Sequence, residues 1–216
     1  MTGPLVEAFL YALVALLVIF DPAGTAALFV AMTPQDMRAE RNEQARRACF
    51  IAFVVLASFG LLGEGLLRAL GIGLPAMQVA GGILLFLTAA EMVTAHNALR
   101  ATPAELETAT RTNEDISVFP LAIPLLAGPG AMTTMVLLRS AAGSDWRKVA
   151  ALEMALAVAL LLTLLALLLA GQVKRLLGET GSRVIGRVLG VLLAALAVQI
   201  AMDGVRALLA AMPRTV

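Results

Sequence analysis

The apolar residues of this chain fall into long runs that are separated by short polar stretches. A membrane-spanning helix needs about 20 predominantly apolar residues, and six runs have this length. They are Leu5 to Met32, Cys49 to Leu67, Pro75 to Ala95, Val118 to Leu138, Val149 to Ala170 and Val184 to Met212. The pattern therefore predicts an all-α polytopic membrane protein with six transmembrane helices.

The composition supports a membrane protein and excludes several classes of function. Of the 216 residues, 60% are hydrophobic and 14% are charged, and the mean hydropathy is +0.91. These values are far from those of a soluble domain. The net charge of +1 gives no field that would attract nucleic acid. Because Cys49 is the single cysteine, there is no internal disulfide or thiolate cluster, and we expect neither a cofactor nor a bound metal.

Two of the apolar runs contain helix-breaking residues near their middle. The fourth run carries Gly128-Pro129-Gly130 and the first carries Asp21-Pro22-Ala23-Gly24. Proline removes a backbone donor and clashes with the preceding turn, while glycine loosens the helix on either side. We therefore predict that both helices are broken inside the membrane.

The two breaks indicate an internal duplication. Their prolines are 107 residues apart, and a shift of 107 or 108 positions also superposes other features. It brings Gly82-Ile83-Leu84-Leu85 onto Gly190-Val191-Leu192-Leu193, and Glu91 onto Gln199. Within one membrane domain we predict a first repeat at about 1–95, a cytoplasmic linker at about 96–117 and a second repeat at about 118–216. Three spans in each repeat would orient the repeats oppositely across the bilayer.

The lysines and arginines predict the orientation of the chain. Six lie in the connections after the second and fourth helices or near the C-terminus. Ten lie in the connections after the first, third and fifth helices: Arg38, Arg41, Arg46, Arg47, Arg100, Arg111, Lys174, Arg175, Arg183 and Arg187. The positive-inside rule places the larger set in the cytoplasm. Both termini are then periplasmic.

The breaks predict a binding site for a zwitterion. A broken helix leaves amides and carbonyls without partners, and these are not tolerated facing lipid. Amides at one break would hold a carboxylate, and carbonyls would hold an ammonium group. A single break is more often a simple kink, but two breaks at matched positions favour a site. The predicted substrate-binding residues are Asp21, Pro22, Gly24, Thr25, Gly128, Pro129, Gly130, Thr133, Thr134, Glu91 and Gln199.

Asp21 is the most informative of these residues. A carboxylate near the bilayer centre costs about 3 kcal/mol on insertion scales, so it is functional by default and could carry a coupling proton or sodium ion. The structural alternative is an N-cap on a half-helix that begins at Pro22. The hydroxyls of Thr25, Thr133 and Thr134 either line the same cavity or bond back to their own helices.

The remaining polar residues of the spans are assigned by their depth. Glu91 and Gln199 are deep and related by the repeat, so we predict that they line the cavity or a gate. Charged residues near helix ends are explained by solvated rims and by the helix dipole. This group contains Glu64 with Arg68, Asp203 with Arg206, and Glu153 near the start of the fifth helix.

Three stretches resemble the MarC family, also described as small neutral amino acid transporters, which are bacterial and archaeal six-span membrane proteins. They are Phe119-Pro120-Leu121-Ala122-Ile123-Pro124-Leu125-Leu126-Ala127-Gly128-Pro129-Gly130-Ala131-Met132, Gly82 to Leu87, and Gly190 to Gln199. The family's first helix usually carries Asn-Pro-x-Gly, where this chain has Asp21-Pro22-Ala23-Gly24. The departure places a potential charge where an amide is usual.

The resemblance implies a secondary transporter or exporter of small neutral amino acids in the bacterial inner membrane. A channel or a non-transporting membrane scaffold is the alternative, and assembly into a homo-oligomer stays open. An intramembrane enzyme is a further alternative that lacks its usual residues, since His96 alone provides neither a Ser/His dyad nor a metalloprotease motif. An aspartyl pair of Asp21 and Asp203 would need both carboxylates at the same depth.

Overall fold

The described chain is built from helices alone. The computed structural model describes residues 3–33, 38–94 and 116–211, and no strand occurs within these ranges. In chain order the helices are α1 (Pro4–Phe20), α2 (Pro22–Met32), α3 (Arg38–Ala69), α4 (Leu74–Thr94), the π-helix α5 (Ser117–Leu126), α6 (Pro129–Ala142), α7 (Trp146–Leu168) and α8 (Ala170–Ala211). The all-α prediction is confirmed.

Five helical stretches among the described residues are long and apolar enough to cross a membrane. They are Leu5–Val30, Arg38–Ala69, Leu74–Thr94, Trp146–Leu168 and Val184–Ala210. The remaining predicted span, Val118 to Leu138, is occupied by α5 and α6, which have 10 and 14 residues. Each of these is shorter than the roughly 20 residues that one continuous span requires.

Both predicted helix breaks are present. Asp21 separates α1 from α2, and the pair Ala127 and Gly128 separates α5 from α6. Proline is the first residue of α2 and of α6, where its missing N–H costs no helical hydrogen bond. The prolines therefore start the second half of each broken segment.

Two helices are longer than their apolar runs. α3 begins at Arg38 instead of Cys49, and α8 begins at Ala170 instead of Val184. An apolar run measures only the part of a helix that lies in hydrocarbon, whereas helical hydrogen bonding continues into the polar region beyond it. Much of the two connections that we expected as loops is therefore helical. The predicted linker lies outside the described residues, apart from its last two positions.

The most extensive packing in the chain is between α4 and α8. A Cβ atom on Gly82 of α4 would lie 2.7 Å from the carbonyl oxygen of Ala197 on α8. A Cβ atom on Gly190 of α8 would lie 3.1 Å from the carbonyl oxygen of Ala89 on α4. The two glycines thus let the backbones of these helices approach closely.

The broken segments pack around this pair of helices and around α3 and α7. α2 contacts α8 and α7, while α6 contacts α4 and α3. α1 lies against α7, α5 lies against α3, and α3 also contacts α7. One hydrophobic core joins these helices, with Phe20, Phe29, Leu56, Leu85 and Leu156 among its fully buried side chains. Both breaks are therefore flanked by other helices, and of the second break Pro129 is exposed.

Candidate functional site

The first break places Asp21 in an unusual backbone conformation. Its φ and ψ angles are 42° and 69°, in the left-handed region, and no other described residue except glycine has a positive φ. Aspartate and asparagine adopt this conformation more readily than most residues, but it still costs free energy. The side chain is 2% exposed. A strained and buried carboxylate is typical of a functional position.

The Asp21 carboxylate caps the N-terminus of α2. Its Oδ1 atom accepts a hydrogen bond from the Gly24 amide at 3.1 Å, which confirms the predicted N-cap. A Cβ atom on Gly24 would collide with the carboxylate, and one on Gly186 of α8 would lie 3.6 Å from Oδ2. The carboxylate therefore lies between the start of α2, where half-buried Pro22 is the first residue, and the backbone of α8.

Thr25 satisfies a backbone carbonyl that the break exposes. Its Oγ1 atom donates to the carbonyl oxygen of Phe20, the last residue of α1, at 2.6 Å. The Thr25 amide donates to the Asp21 carbonyl at 2.8 Å. The interpretation in which this hydroxyl bonds to the backbone is confirmed. The first break thus satisfies these polar groups within the segment itself.

The second break is preceded by a π-helix that the sequence pattern does not predict. Pro120 and Pro124 have no N–H to donate, so the α-helical ladder is interrupted twice within α5. Wider bonds form instead, from the Leu121 amide to the Ile116 carbonyl at 3.3 Å and from the Ala127 amide to the Ala122 carbonyl at 2.8 Å. Single π-helical turns are frequent at functional sites.

The backbone at the start of α6 is pressed against its neighbours. A Cβ atom on Gly128 would lie 2.5 Å from the Pro124 carbonyl oxygen, and one on Gly130 would lie 2.8 Å from Cδ2 of Leu85 on α4. Pro129 between them is exposed. Only glycine fits at these two positions without a shift, so the pattern Gly-Pro-Gly is explained by close packing as well as by the break.

The N-terminus of α6 has no side-chain cap. Its N-cap residue is Gly128, and within the described residues neither the Gly130 amide nor the Ala131 amide has a hydrogen-bond acceptor. Both residues are buried. Buried helix amides without an acceptor form a site for an anion. The two breaks therefore differ, because the side chain of Asp21 already accepts a hydrogen bond from an amide at the start of α2.

Thr133 and Thr134 follow this uncapped end and differ in their contacts. The methyl group of Thr133 packs against Gly81 of α4, and its side chain is 2% exposed. Thr134 is 4% exposed, and among the described residues its hydroxyl has no hydrogen-bond partner. Thr134 lies one turn after Gly130, on the same side of α6. Its hydroxyl is available for a ligand at this end of the helix.

Glu91 and Gln199, which we predicted to line the cavity from the third and sixth helices, lie in different environments. Glu91 is buried in α4. Gln199 is exposed on α8, and its Nε2 atom donates to Oδ1 and Oδ2 of Asp203 at 3.0 and 3.1 Å. The buried face of α8 carries Gly190 and Ala197, and Gln199 is rotated to the opposite face. Gln199 thus does not share the buried interface with Glu91, and its place at the cavity or a gate stays a prediction.

The two broken segments are connected through shared helices. α1 packs against α6, and of the paired helices α4 and α8, α4 contacts α6 and α8 contacts α2. Gly130 rests on Leu85 of α4, while the Asp21 carboxylate faces Gly186 of α8. The capped end of α2 and the uncapped end of α6 are therefore parts of one packed unit.

The two predicted pairs of charged residues at helix ends are present, but the interpretation of Glu153 is corrected. Arg68 donates to Glu64 at 2.8 Å and Arg206 lies 3.6 Å from Asp203, and both pairs are exposed. Glu153 does not lie at a helix start, because α7 begins at Trp146 and the effect of the dipole fades beyond the first turn. Its carboxylate instead faces Gly60 of α3, a contact that the sequence did not predict.

Known proteins match the chain over most of its length. The family profile described as MarC family integral membrane protein matches residues 6–209. A UPF0056 membrane protein of Aquifex aeolicus is 37% identical over 202 residues, which cover 93% of this chain and 94% of the relative. A UPF0056 membrane protein of Archaeoglobus fulgidus is 32% identical over 88% of each chain, and UPF0056 membrane protein YhcE of Escherichia coli is 28% identical over 89% of each. No solved structure matches. With its apolar helices and its two helix breaks, the chain belongs to the MarC family of integral membrane proteins.

Proposed function

We propose that this protein is a secondary transporter of small neutral amino acids in the bacterial inner membrane. The observation that carries the proposal is the buried N-terminus of α6, where the amides of Gly130 and Ala131 have no acceptor among the described residues. Backbone breaks at membrane depth are tolerated only where they face protein or a cavity, and in transporters they form the substrate site.

The substrate carboxylate binds at the start of α6. Hydrogen bonds from the Gly130 and Ala131 amides to a carboxylate are charge-assisted, and each contributes about 1.5–3 kcal/mol. The unpartnered hydroxyl of Thr134 adds a third donor from the same side of the helix. The substrate ammonium group binds carbonyl oxygens at the broken end of α5.

Asp21 has a different role in this proposal. Its carboxylate already accepts from the Gly24 amide and lies against α8, so it does not need a substrate to satisfy it. A buried carboxylate of this kind is suited to binding a coupling proton or sodium ion. The inward-facing and outward-facing states of the transporter would then differ in the charge at the first break.

The packing of the helices supports two inverted three-helix repeats. α1 packs on α7 as α5 packs on α3, and α2 packs on α8 and α7 as α6 packs on α4 and α3. Gly82 meets Ala197 across the same interface in which Gly190 meets Ala89, and each residue of one contact is 108 positions from its counterpart in the other. A pseudo-two-fold relation between the halves is the simplest arrangement that gives these reciprocal contacts.

An intramembrane aspartyl enzyme is less consistent with these contacts. Such an enzyme needs two carboxylates that share one buried site. Asp21 is buried, whereas Asp203 is exposed and pairs with Gln199 and Arg206. We therefore assign no catalytic role to the pair.

Counterflow tests the proposed function. Proteoliposomes loaded with unlabelled alanine should take up labelled alanine with saturable kinetics, and empty protein-free liposomes provide the control. Lactate, which lacks the ammonium group, and alaninamide, which lacks the carboxylate, should compete weakly or not at all. A flux that rises linearly with alanine concentration would indicate a channel, and no flux above the control would indicate a scaffold.

A further inference from the structure

Glu153 on α7 lies in a space that Gly60 of α3 leaves open. A Cβ atom on Gly60 would lie 2.5 Å from Oε1 of Glu153 and 2.8 Å from Cε of Met135 on α6. Any side chain at position 60 would occupy the volume of this carboxyl group. Three helices therefore form a close-fitting pocket around one acidic group, within a span predicted from composition, Trp146–Leu168.

Among the described residues, this pocket provides no hydrogen bond that would stabilise a negative charge. Both carboxyl oxygens of Glu153 are buried, and neither has a hydrogen-bond partner among the described residues. Met135, the other side chain that lies beside the Gly60 position, is apolar, and Gly60 has no side chain. Burial of an ionised carboxylate without a partner costs several kcal/mol, so the neutral acid is the form that fits this conformation.

A cation lies one helical turn away, which is a rise of about 5.4 Å. Glu64 follows Gly60 by one turn on α3, and Arg139 follows Met135 by one turn on α6. The Nη1 atom of Arg139 lies 3.7 Å from Oε2 of Glu64 and donates to the Gly143 carbonyl at 2.7 Å. The Nε atom of Arg139 is buried and has no partner in the described part of the chain.

The same end of the bundle opens to a cavity of about 380 Å³. We call this cavity the vestibule, and its lining residues include Glu64, Arg68, Arg139, Gly143 and Ser144. It is large enough for several water molecules and has polar groups to hold them. Water in the vestibule would reach the guanidinium group next to the Glu153 pocket.

Among the described residues, the other helices that pack on α7 bring no competing charge into this pocket. α2 has no titratable residue between its ends, and on α7 itself the charged neighbours are Arg147 and Lys148 at the start of the helix. The described titratable side chains of α1 and α8 are exposed: Glu7, Tyr11, Arg187, Asp203 and Arg206. Arg139 is therefore the charged group best placed to respond to Glu153.

We propose that Glu153 is a proton-binding site inside the membrane that exchanges its proton with the vestibule. On release, the O–H bond of the acid breaks, the electron pair stays on the carboxylate, and the proton passes to vestibule water. The carboxylate then attracts the Arg139 guanidinium away from Glu64. Its use as a second coupling site, required together with Asp21 for gradient-driven transport, rests on the proposed function above.

Infrared spectroscopy tests proton binding without any transport. The full chain in nanodiscs is titrated with base while the C=O stretch of protonated carboxylic acids is recorded. We expect an acid band that persists at neutral pH in the wild type and in Glu64→Gln but is lost in Glu153→Gln. A band that Glu153→Gln leaves unchanged, or the absence of any such band in the wild type, would overturn the proposal.

Two glycine substitutions keep the test decisive if Glu153→Gln does not fold. Gly60→Ala places a methyl group where the carboxyl lies, so it should shift the loss of the acid band to lower pH. Gly171→Ala in α8 has no atom within 4 Å of the new methyl group and lies outside the vestibule, so it should leave the titration unchanged. Equal titrations for both variants would contradict the proposed pocket.

Uptake measurements separate this proposal from the proposed function. If wild-type protein shows no alanine counterflow, the transport assignment is wrong and the infrared result still decides on proton binding. If the wild type accumulates alanine under a pH gradient and Glu153→Gln accumulates it equally, transport stands and coupling through Glu153 is wrong. We expect the gradient-driven accumulation of alanine by Glu153→Gln to be at least tenfold lower than that by the wild type.

Discussion

Gly82 of α4 and Ala197 of α8 approach so closely that a Cβ atom on the glycine would lie 2.7 Å from the alanine carbonyl oxygen. The other obstructing atoms are the Cβ of Ala201 at 2.7 Å and its amide nitrogen at 2.8 Å, and neither a backbone atom nor a Cβ can rotate away. The distance between the two helices is therefore set by the lack of a side chain at position 82.

Gly82→Ala should destabilise the fold by about 1–3 kcal/mol, because α8 must shift to admit the methyl group. Gly65→Ala is the matched control, since it makes the same exchange within a helix but meets nothing within 4 Å. Helix propensity favours alanine over glycine at both positions, so the difference in stability between the two variants reports the effect of packing alone. Thermal unfolding of the purified proteins in detergent measures it, and equal midpoints would contradict this account.

Asp21 allows stability and coupling to be tested separately. Asparagine keeps a side-chain oxygen for the Gly24 amide and tolerates the left-handed conformation. The free energy of unfolding of Asp21→Asn should therefore lie within about 0.5 kcal/mol of the wild-type value. Asp21→Ala should lose about 1 kcal/mol for the cap and a further 1–2 kcal/mol for the backbone conformation. Thermal unfolding of both variants checks this order.

The same Asp21→Asn variant tests the coupling role in proteoliposomes. We expect alanine uptake that no longer responds to an imposed proton or sodium gradient, because the amide carries no titratable charge. Full retention of the gradient dependence would show that the carboxylate is only a cap.

The Thr134 hydroxyl is predicted to act on the substrate and not on stability. Since it is buried without a partner, Thr134→Val should leave the protein equally stable or up to about 1 kcal/mol more stable. Alanine binding should weaken about tenfold, because one hydrogen bond to a charged group is lost. The measurement is the alanine concentration that raises the unfolding temperature.

Thr163→Val provides the control for that substitution. Thr163 is also buried in a membrane helix, but its hydroxyl donates to the Ala159 carbonyl at 2.8 Å. Its replacement should leave alanine binding unchanged. Equal losses of binding in the two variants would remove Thr134 from the site.

Cysteine labelling tests the orientation of the chain. Cys49 is buried, so we expect little background from the native thiol. Ser144→Cys lies in the exposed turn between α6 and α7 and should react with a membrane-impermeant thiol reagent in cells with a permeabilised outer membrane. Ala39→Cys at the start of α3 should react only after the inner membrane is opened. The reverse pattern would invert the predicted topology.

The sequence predicted the features that arise from single residues with strong local effects. Pro22 and Pro129 begin their helices as expected, Asp21 is the N-cap, and Glu64 pairs with Arg68. Each of these depends on atoms within a few positions of the residue itself, which is why the pattern of the chain was sufficient.

The features that the sequence did not predict depend on neighbours that are distant in the chain. The contact of Glu153 with Gly60 joins α7 to α3, and neither residue has a local signal that distinguishes it. Gln199 is exposed because of the way α8 is rotated against α4. Aligning the two halves of the sequence gives no information about that rotation. We did not predict the start of α3 at Arg38, because hydropathy identifies the residues that lie inside the bilayer and not the polar residues that extend the helix beyond it.

The different caps of α2 and α6 have a consequence for stoichiometry. Two half-helices with uncapped N-termini would offer two equivalent anion sites, and such a protein could carry two substrates in each cycle. At α2 the Asp21 carboxylate is a tethered ligand that cannot diffuse away, whereas the α6 amides have no acceptor among the described residues. Only one of the two ends can therefore exchange its anion, and we expect one amino acid to be carried per cycle.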